Sequence, residues 1–305
     1  MIFALKPAPA GAALILAFTS LPVMADEPVS FSGEASIGAS YDSDVGIADL
    51  DQSTGEGDYA LLLGLEGNAE FKPTSRLTLR AGYELADTQY QDYDEFSLQT
   101  HRGSLEAAFD FDVVEAGLLY NYVHARLDGD GYLDYHLASP YVTRLIGDTL
   151  FLRGALEFTD KDFLNDDLRD AEGQGLRGDA YYFIGGTDRY VSLTAKLEEE
   201  DAMSDAFDFS GGELNANYSH RSQIMDRDTR FQIGAGWETR DYDGITPAIS
   251  ETREDDIISA DAGFEFELAG PLLLDLDYSY RDRQSNLPSA DYDEHVGEIR
   301  LRAQF

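Results

Sequence analysis

His101 stands three residues before Ser104, and His136 three before Ser139. A His beside a Ser is the minimum for nucleophilic catalysis, in which the imidazole takes the hydroxyl proton and an acid orients the ring. The chain of 305 residues has five His (His101, His124, His136, His220, His295) and no Cys. Nothing in the spacing supplies the third partner, so neither pair is read as catalytic and the protein is expected not to be an enzyme. Asp128-Gly-Asp130-Gly resembles the opening of a calcium loop, but the downstream ligands of an EF-hand do not follow. No metal or cofactor site is expected. Residues 42–57 carry Asp42, Asp44, Asp49, Asp51 and Glu56 with no Lys or Arg. They read as solvated surface, with weak divalent binding shared with lipopolysaccharide phosphates as the alternative.

A different pattern of charge says more. Arg80 and Glu84, Arg153 and Glu157, Lys196 and Glu198, Glu265 and Glu267, Asp275 and Asp277, and Glu298, Arg300 and Arg302 alternate with apolar residues at period two. Period two is the strand repeat, so one face of each segment is charged and the other apolar. The last segment runs to the chain end: Gly297, Ile299, Leu301, Ala303 and Phe305 share one face. Such a strand fits lipid on one side and a wet lumen on the other. Leu301, Ala303 and Phe305 read as an assembly signal on a closing strand. The charged residues read as lumen-lining.

These residues need a frame, and the chain supplies fourteen segments of about ten residues with the same alternation. The sixth, around residues 135–145, contains Pro140, and a bulge is expected there because Pro cannot donate to a ladder. Long connections are expected at 42–57, 89–95, 128–134, 160–174, 199–210, 243–256 and 284–291, alternating with short ones. Phe31, Phe71, Phe109, Phe266 and Phe305 fall at one set of strand ends, and Tyr41, Tyr59, Tyr122, Tyr280 and Tyr292 at the other. Two aromatic girdles follow.

Met1 to Lys6, an apolar run from Ala8 to Leu21, and Val23-Met24-Ala25 read as a signal peptide over residues 1–25, leaving 26–305 as one domain. The formal net charge of −37 excludes non-specific nucleic-acid binding. It would suit a disordered chain, except that 43% of residues are hydrophobic, with 18 Tyr and 17 Phe. The absence of Cys excludes a disulfide framework.

Tyr41-Asp42-Ser43-Asp44-Val45 follows the first strand, and Gln284-Ser285-Asn286-Leu-Pro288 precedes the last. These elements resemble those of the barrel domain of surface lipoprotein assembly modifiers and the related beta-barrel porin-2 group. That group has a Y-D-S-N-like element, in which Asp44 here replaces the Asn, and an S-N element before the closing strand. The resemblance implies a barrel of about fourteen strands. The assembly modifiers also carry a periplasmic helical-repeat domain, which this chain is expected to lack.

The expectation is therefore an all-β transmembrane antiparallel β-barrel of about fourteen strands, both termini periplasmic, in the outer membrane of a Gram-negative bacterium. Its partners would be outer-membrane lipid and the barrel-insertion machinery. The function expected is a narrow, porin-like passive channel with weak cation preference. The alternative is a barrel that assembles or exports a surface lipoprotein or polysaccharide with a partner.

Overall fold

The computed structural model describes residues 29–305. The segment read as a signal peptide lies outside them. Fourteen strands follow one another: β1 Val29–Asp42, β2 Asp58–Phe71, β3 Leu77–Tyr90, β4 Leu98–Asp110, β5 Glu115–Leu127, β6 Asp130–Ile146 and β7 Leu150–Phe163. The second half comprises β8 Ala171–Phe183, β9 Arg189–Ala202, β10 Phe209–Ile224, β11 Arg227–Thr246, β12 Glu251–Ala269, β13 Leu272–Ser285 and β14 Tyr292–Gln304. Each pairs antiparallel with its chain neighbours, and β1 pairs with β14 to close a barrel.

Alternation sorts the faces. On β7, outward Leu156 is 49% exposed while inward Ala155 is 4% exposed. The outward faces carry the apolar band, with Ile37, Leu63, Leu105, Leu118, Trp237 and Ile258 all exposed. β8, whose register the sequence leaves ambiguous, turns Leu176 and Tyr182 outward and buries Tyr181 and Phe183. Following hydrogen-bonded partners once around from Val29 leads through Phe71, Leu176 and Gly212 to Gln284, at the far end of β13. That climb is a stagger of about 18 residues, which with the strand count sets the opposite backbones roughly 27 Å apart. An eight-stranded barrel is just filled by its side chains, so this one has room for more than its own wall.

Phe305 extends the β1–β14 seam, which pairs residues 34–42 with residues 296–304. Phe305 donates its N–H to the Gly33 carbonyl at 3.0 Å and accepts the Gly33 N–H at 2.8 Å. Its ring covers Gly33 so closely that a Cβ there would collide with Cε2. Leu301 and Ala303 pair with Ile37 and Ala35.

Four sequence expectations about the strands need correction. The connection expected at 128–134 is a two-residue turn, Asp128-Gly129, with both residues at positive φ (51° and 76°). This is the hairpin turn that Asp-Gly favours, and Asp130 already belongs to β6. The connection expected at 243–256 shrinks to 247–250 because β11 and β12 continue past the apolar band as a hairpin. Connection length therefore does not alternate strictly, although direction does. Finally, Pro140 makes no bulge: the β6–β7 ladder lapses at Ser139 and Pro140 and resumes in the same register. The register shift lies at Ala125/Arg126, beside the tight turn. One girdle member also moves, since Tyr292 is paired with buried Arg283 on the inward face.

Deleting Phe305 should leave Gly33 without both seam bonds and its ring cover. We expect a severalfold lower yield of barrel that migrates fast on unboiled gels and slow after boiling. An unchanged yield would show that the seam closes without it.

Candidate functional site

The lumen wall carries the charges. Arg80 and Glu84 on β3, Arg153 and Glu157 on β7, and Lys196 and Glu198 on β9 take inward positions. So do Glu265 and Glu267 on β12, Asp275 and Asp277 on β13, and Glu298, Arg300 and Arg302 on β14. Arg80 bonds Glu70 on β2 at 2.9 Å and Glu106 on β4 at 3.0 Å. Tyr141 on β6 donates to Glu106, and Arg153 lies 4.5 Å over the Tyr141 ring. Lys196 meets Glu198 at 2.7 Å and reaches Glu157 at 3.5 Å, past Gly175 on the intervening β8. Arg302 bonds Glu34 on β1 at 3.0 Å, Glu265 at 2.5 Å and also Asp275. Arg300 pairs with Glu298 at 3.0 Å, and Glu267 meets Arg227 at 3.8 Å. Arg102 bonds Glu84 between adjacent strands. All these pairs join strands no more than two apart. They hold the charged groups against the wall rather than bridging the bore.

What crosses the bore is the β1–β2 connection, residues 43–57. The sequence suggests solvated surface there; instead the segment folds into the mouth opposite the chain termini. Gly46–Ile47 pairs with Gln52–Ser53 in a small ladder around a 3-10 turn at Ala48–Leu50. Val45, Ile47 and Ala48 are 0%, 3% and 4% exposed. Asp44 ties the hairpin together, accepting Ser53 Oγ at 2.7 Å and the Gly55 N–H at 2.8 Å. Ile47 packs on Leu98, Ala125, Tyr132, Leu133 and Phe163 at the ends of β4–β7, with Leu50 and Phe96 beside them. Burying a side chain of this size contributes about 1.5–3 kcal/mol. We call this element the strap.

Its tip is latched by charge. Asp51, in a left-handed conformation at φ 54°, receives Arg253 Nη2 at 2.8 Å and Arg169 Nη2 at 3.0 Å. Arg283 Nη2 lies 3.8 Å away. Arg169 also donates to the Asp49 carbonyl at 2.7 Å, and Arg283 to the Ala48 carbonyl at 3.4 Å. Arg169 belongs to the β7–β8 connection, and β8 stands halfway around the wall from β1. The strap therefore reaches the far side. Arg253 and Arg283, 2% and 1% exposed, are fixed from behind by Asp255, at 2.8 Å and 2.7 Å. Burial would push the Asp51 carboxyl up, but the hydrogen bond and charge of Arg253, with the charges of Arg169 and Arg283, hold it below the usual carboxylate range.

Neither His–Ser pair meets. His101 and His136 face outward, where Tyr83 and Tyr120 bond their Nδ1 atoms at 2.7 Å, while Ser104 and Ser139 face inward. Sequence reasoning misses the latch residues as a set. It sees Asp51 only as one acid among five, and the arginines lie 118 and more positions away. One signal is present: Val45, Ile47 and Leu50 are apolar residues in a connection otherwise dominated by acids and small residues.

The chain lacks Cys, so Ile47→Cys gives a single reporter of strap position. Removing one partner of a buried ion pair costs about 3 kcal/mol or more. Adding Asp51→Ala should therefore raise the rate of maleimide labelling of that introduced thiol by about tenfold or more; equal rates would mean that the latch does not hold the strap. The pH dependence has a defined sign. A depressed carboxyl stabilises the latched form above its ordinary value, 3.8, and loses that contribution as pH falls through the lower latched value. The Asp51 contribution should therefore be constant from pH 8 to near 4 and be lost below, where strap exposure rises. With a maleimide poorly reactive in acid, opening is read there by cleavage of the strap with pepsin.

The beta-barrel porin 2 family matches residues 222–305, the end of β10 and all of β11–β14. No curated protein sequence matches the chain. The anion-selective porin from Comamonas acidovorans is similar in structure, with a TM-score of 0.52 and 11% identity, over 91% of this chain and 99% of that one. The outer-membrane expressed OmpT of Vibrio cholerae is similar with a TM-score of 0.51 and 12% identity, over 93% of this chain and 100% of that one. At such identity the likeness is one of fold. The chain is thus an outer-membrane β-barrel of porin-like fold, and its last four strands match the beta-barrel porin 2 family.

Proposed function

We propose that the protein is a passive channel of the outer membrane, with both termini in the periplasm and the strap narrowing the outer mouth. The observation that carries the reading is the arrangement of the wall charges. They pair with neighbours around the circumference and leave the bore lined by half-buried ionic groups, which favour water over a dry core. A porin-like barrel fold implies the outer-membrane location. The protein acts without catalysis in this reading, and its constant partners are outer-membrane lipid and the barrel-insertion machinery.

Acids outnumber bases in the chain, 59 to 22, and the excess extends to the wall. Such a bore favours cations weakly, because each Arg and Lys offsets acids beside it. The fold it shares with an anion-selective porin does not decide this, since lining charge sets selectivity.

Planar-bilayer recording checks both parts. In a salt gradient the reversal potential should show cation preference, fading as salt shortens the Debye length below ~10 Å at 0.1 M. Asp275→Asn with Asp277→Asn should reduce the preference if those groups line the path. Deleting residues 45–55 should raise unit conductance severalfold. Anion preference would sink the electrostatic argument. No conductance, even without the strap, would favour the second reading: a closed barrel that serves a surface lipoprotein or polysaccharide partner, as the resemblance to assembly-modifier barrels implies.

A further inference from the structure

The latch has the form of a receptor. Three guanidinium groups from separate elements converge on one carboxylate, and that carboxylate belongs to the chain itself. Arg169 is levelled against the Phe207 ring at 4.1 Å and Arg253 against the Tyr242 ring at 4.5 Å. Asp255 grips Arg253 through both Nε at 2.9 Å and Nη2 at 2.8 Å, and holds Arg283 through Nε at 3.2 Å and Nη2 at 2.7 Å. Asp166 lies 3.2 Å from Arg169 Nε. None of these supports comes from the strap. The arginines therefore keep their places when Asp51 leaves. The charge then left over is simple: three guanidiniums face Asp255 and Asp166, one positive charge in excess. A single carboxylate restores the balance.

Beside the latch lies a cavity of about 300 Å³, bounded by Asp51, Arg169 and Arg253. Its other walls include Leu50, Phe207, Pro247 and Leu287. Thr246 also lines it, with a buried Oγ1 that has no hydrogen-bond partner. A recess with charge at one end, one unspent hydroxyl and apolar sides is the form of a small-molecule site.

We propose that Arg169, Arg253 and Arg283 form a binding site for a small organic monocarboxylate with an apolar body, which Asp51 of the strap occupies until such a ligand displaces it. The ligand enters the cavity and lays its apolar part on Phe207, Pro247 and Leu287. Its carboxylate then takes the paired guanidinium bonds that Asp51 holds. A phosphate fits less well, because its second charge exceeds the one positive charge left unbalanced. Displacement frees the strap tip, so ligand binding and opening of the mouth are one equilibrium. That last link rests on the channel reading; the exchange of carboxylates does not.

Benzoate is a suitable probe, with benzyl alcohol and benzylamine as controls of like shape. Calorimetric titration uses the full chain in detergent, with folding verified by the gel shift on boiling. Tethered Asp51 competes in the native protein, so Asp51→Asn should bind benzoate about tenfold tighter or more. Neither control should show the gain, and Arg169→Ala added to Asp51→Asn should abolish it. Equal benzoate affinity with and without Asp51 would overturn the proposal, as would binding of benzyl alcohol as tight as that of benzoate. Should Asp51→Asn fail to fold, the Ile47→Cys protein with its latch intact gives an independent answer. Saturating benzoate should accelerate maleimide labelling severalfold, whereas an unchanged rate would overturn the exchange. Conductance enters neither readout, so the lack of a pore would count against the channel reading alone.

Discussion

In hydrocarbon an unpaired backbone N–H or C=O finds no water, and each one left open costs several kcal/mol. That constraint fixes everything else in this molecule. It demands that β1 and β14 meet, because an open sheet would present two unpaired edges to lipid. It demands that every strand alternate, because one face meets lipid and the other water. It confines irregular chain to the mouths. The contact of Phe305 with Gly33 is one rung of this closure.

The same constraint explains what can be read from residues alone. Strand count, facing and sequence order follow from period two, since lipid enforces apolar residues at alternate positions on every strand. The outward faces of β1, β5, β9 and β13 are legible for that reason, and so are the inward Arg80, Lys196 and Arg302. Beyond the apolar band the enforcement stops. Strands β11 and β12 continue into water with no hydrophobic alternation to mark them, as Asp241, Glu254 and Asp256 show, so the sequence places their end too early. The turn at Asp128-Gly129 carries a clear hairpin signature, but the same Asp-Gly-Asp-Gly stretch also fits an acidic loop. The strap is illegible for a different reason. Its partners are fixed by the closed circle, which brings Arg169 and Arg283 to Asp51 from opposite sides of the barrel. No local pattern contains that distance.

The two ionic systems of the barrel differ in kind. On the wall, half-exposed groups such as Arg80 and Glu70 pair at modest energy, and their value lies in keeping long side chains flat against the sheet. At the latch, Arg253, Arg283 and Asp255 are out of water altogether. Ions so placed are tolerable only when fully paired, which makes the cluster rigid and particular about its occupant. A wall pair can lose a member with little consequence, whereas the latch responds to a single missing carboxylate.

The strap is anchored by unlike means at its two sides. Near β4–β7, Ile47 and Leu50 sit among apolar side chains, and that grip is indifferent to ionic strength. At the tip, held by Arg253 and Arg283 of β12 and β13 and by Arg169 of the β7–β8 connection, the hold is charge, which a competing anion can replace but which salt screens only slightly because the pairs are buried. An element fastened this way opens from its charged end: once Asp51 is released, only the apolar seat of Ile47 holds the strap, so full opening that exposes residue 47 becomes correspondingly more frequent. The first aperture is then a crescent along β12 and β13, where Asp255, Arg253 and Arg283 stand, and not a round bore. On the proposed channel reading, a solute entering at that stage passes Arg253, Arg283 and Asp255 first, so the partly opened mouth selects by charge more sharply than the fully opened one.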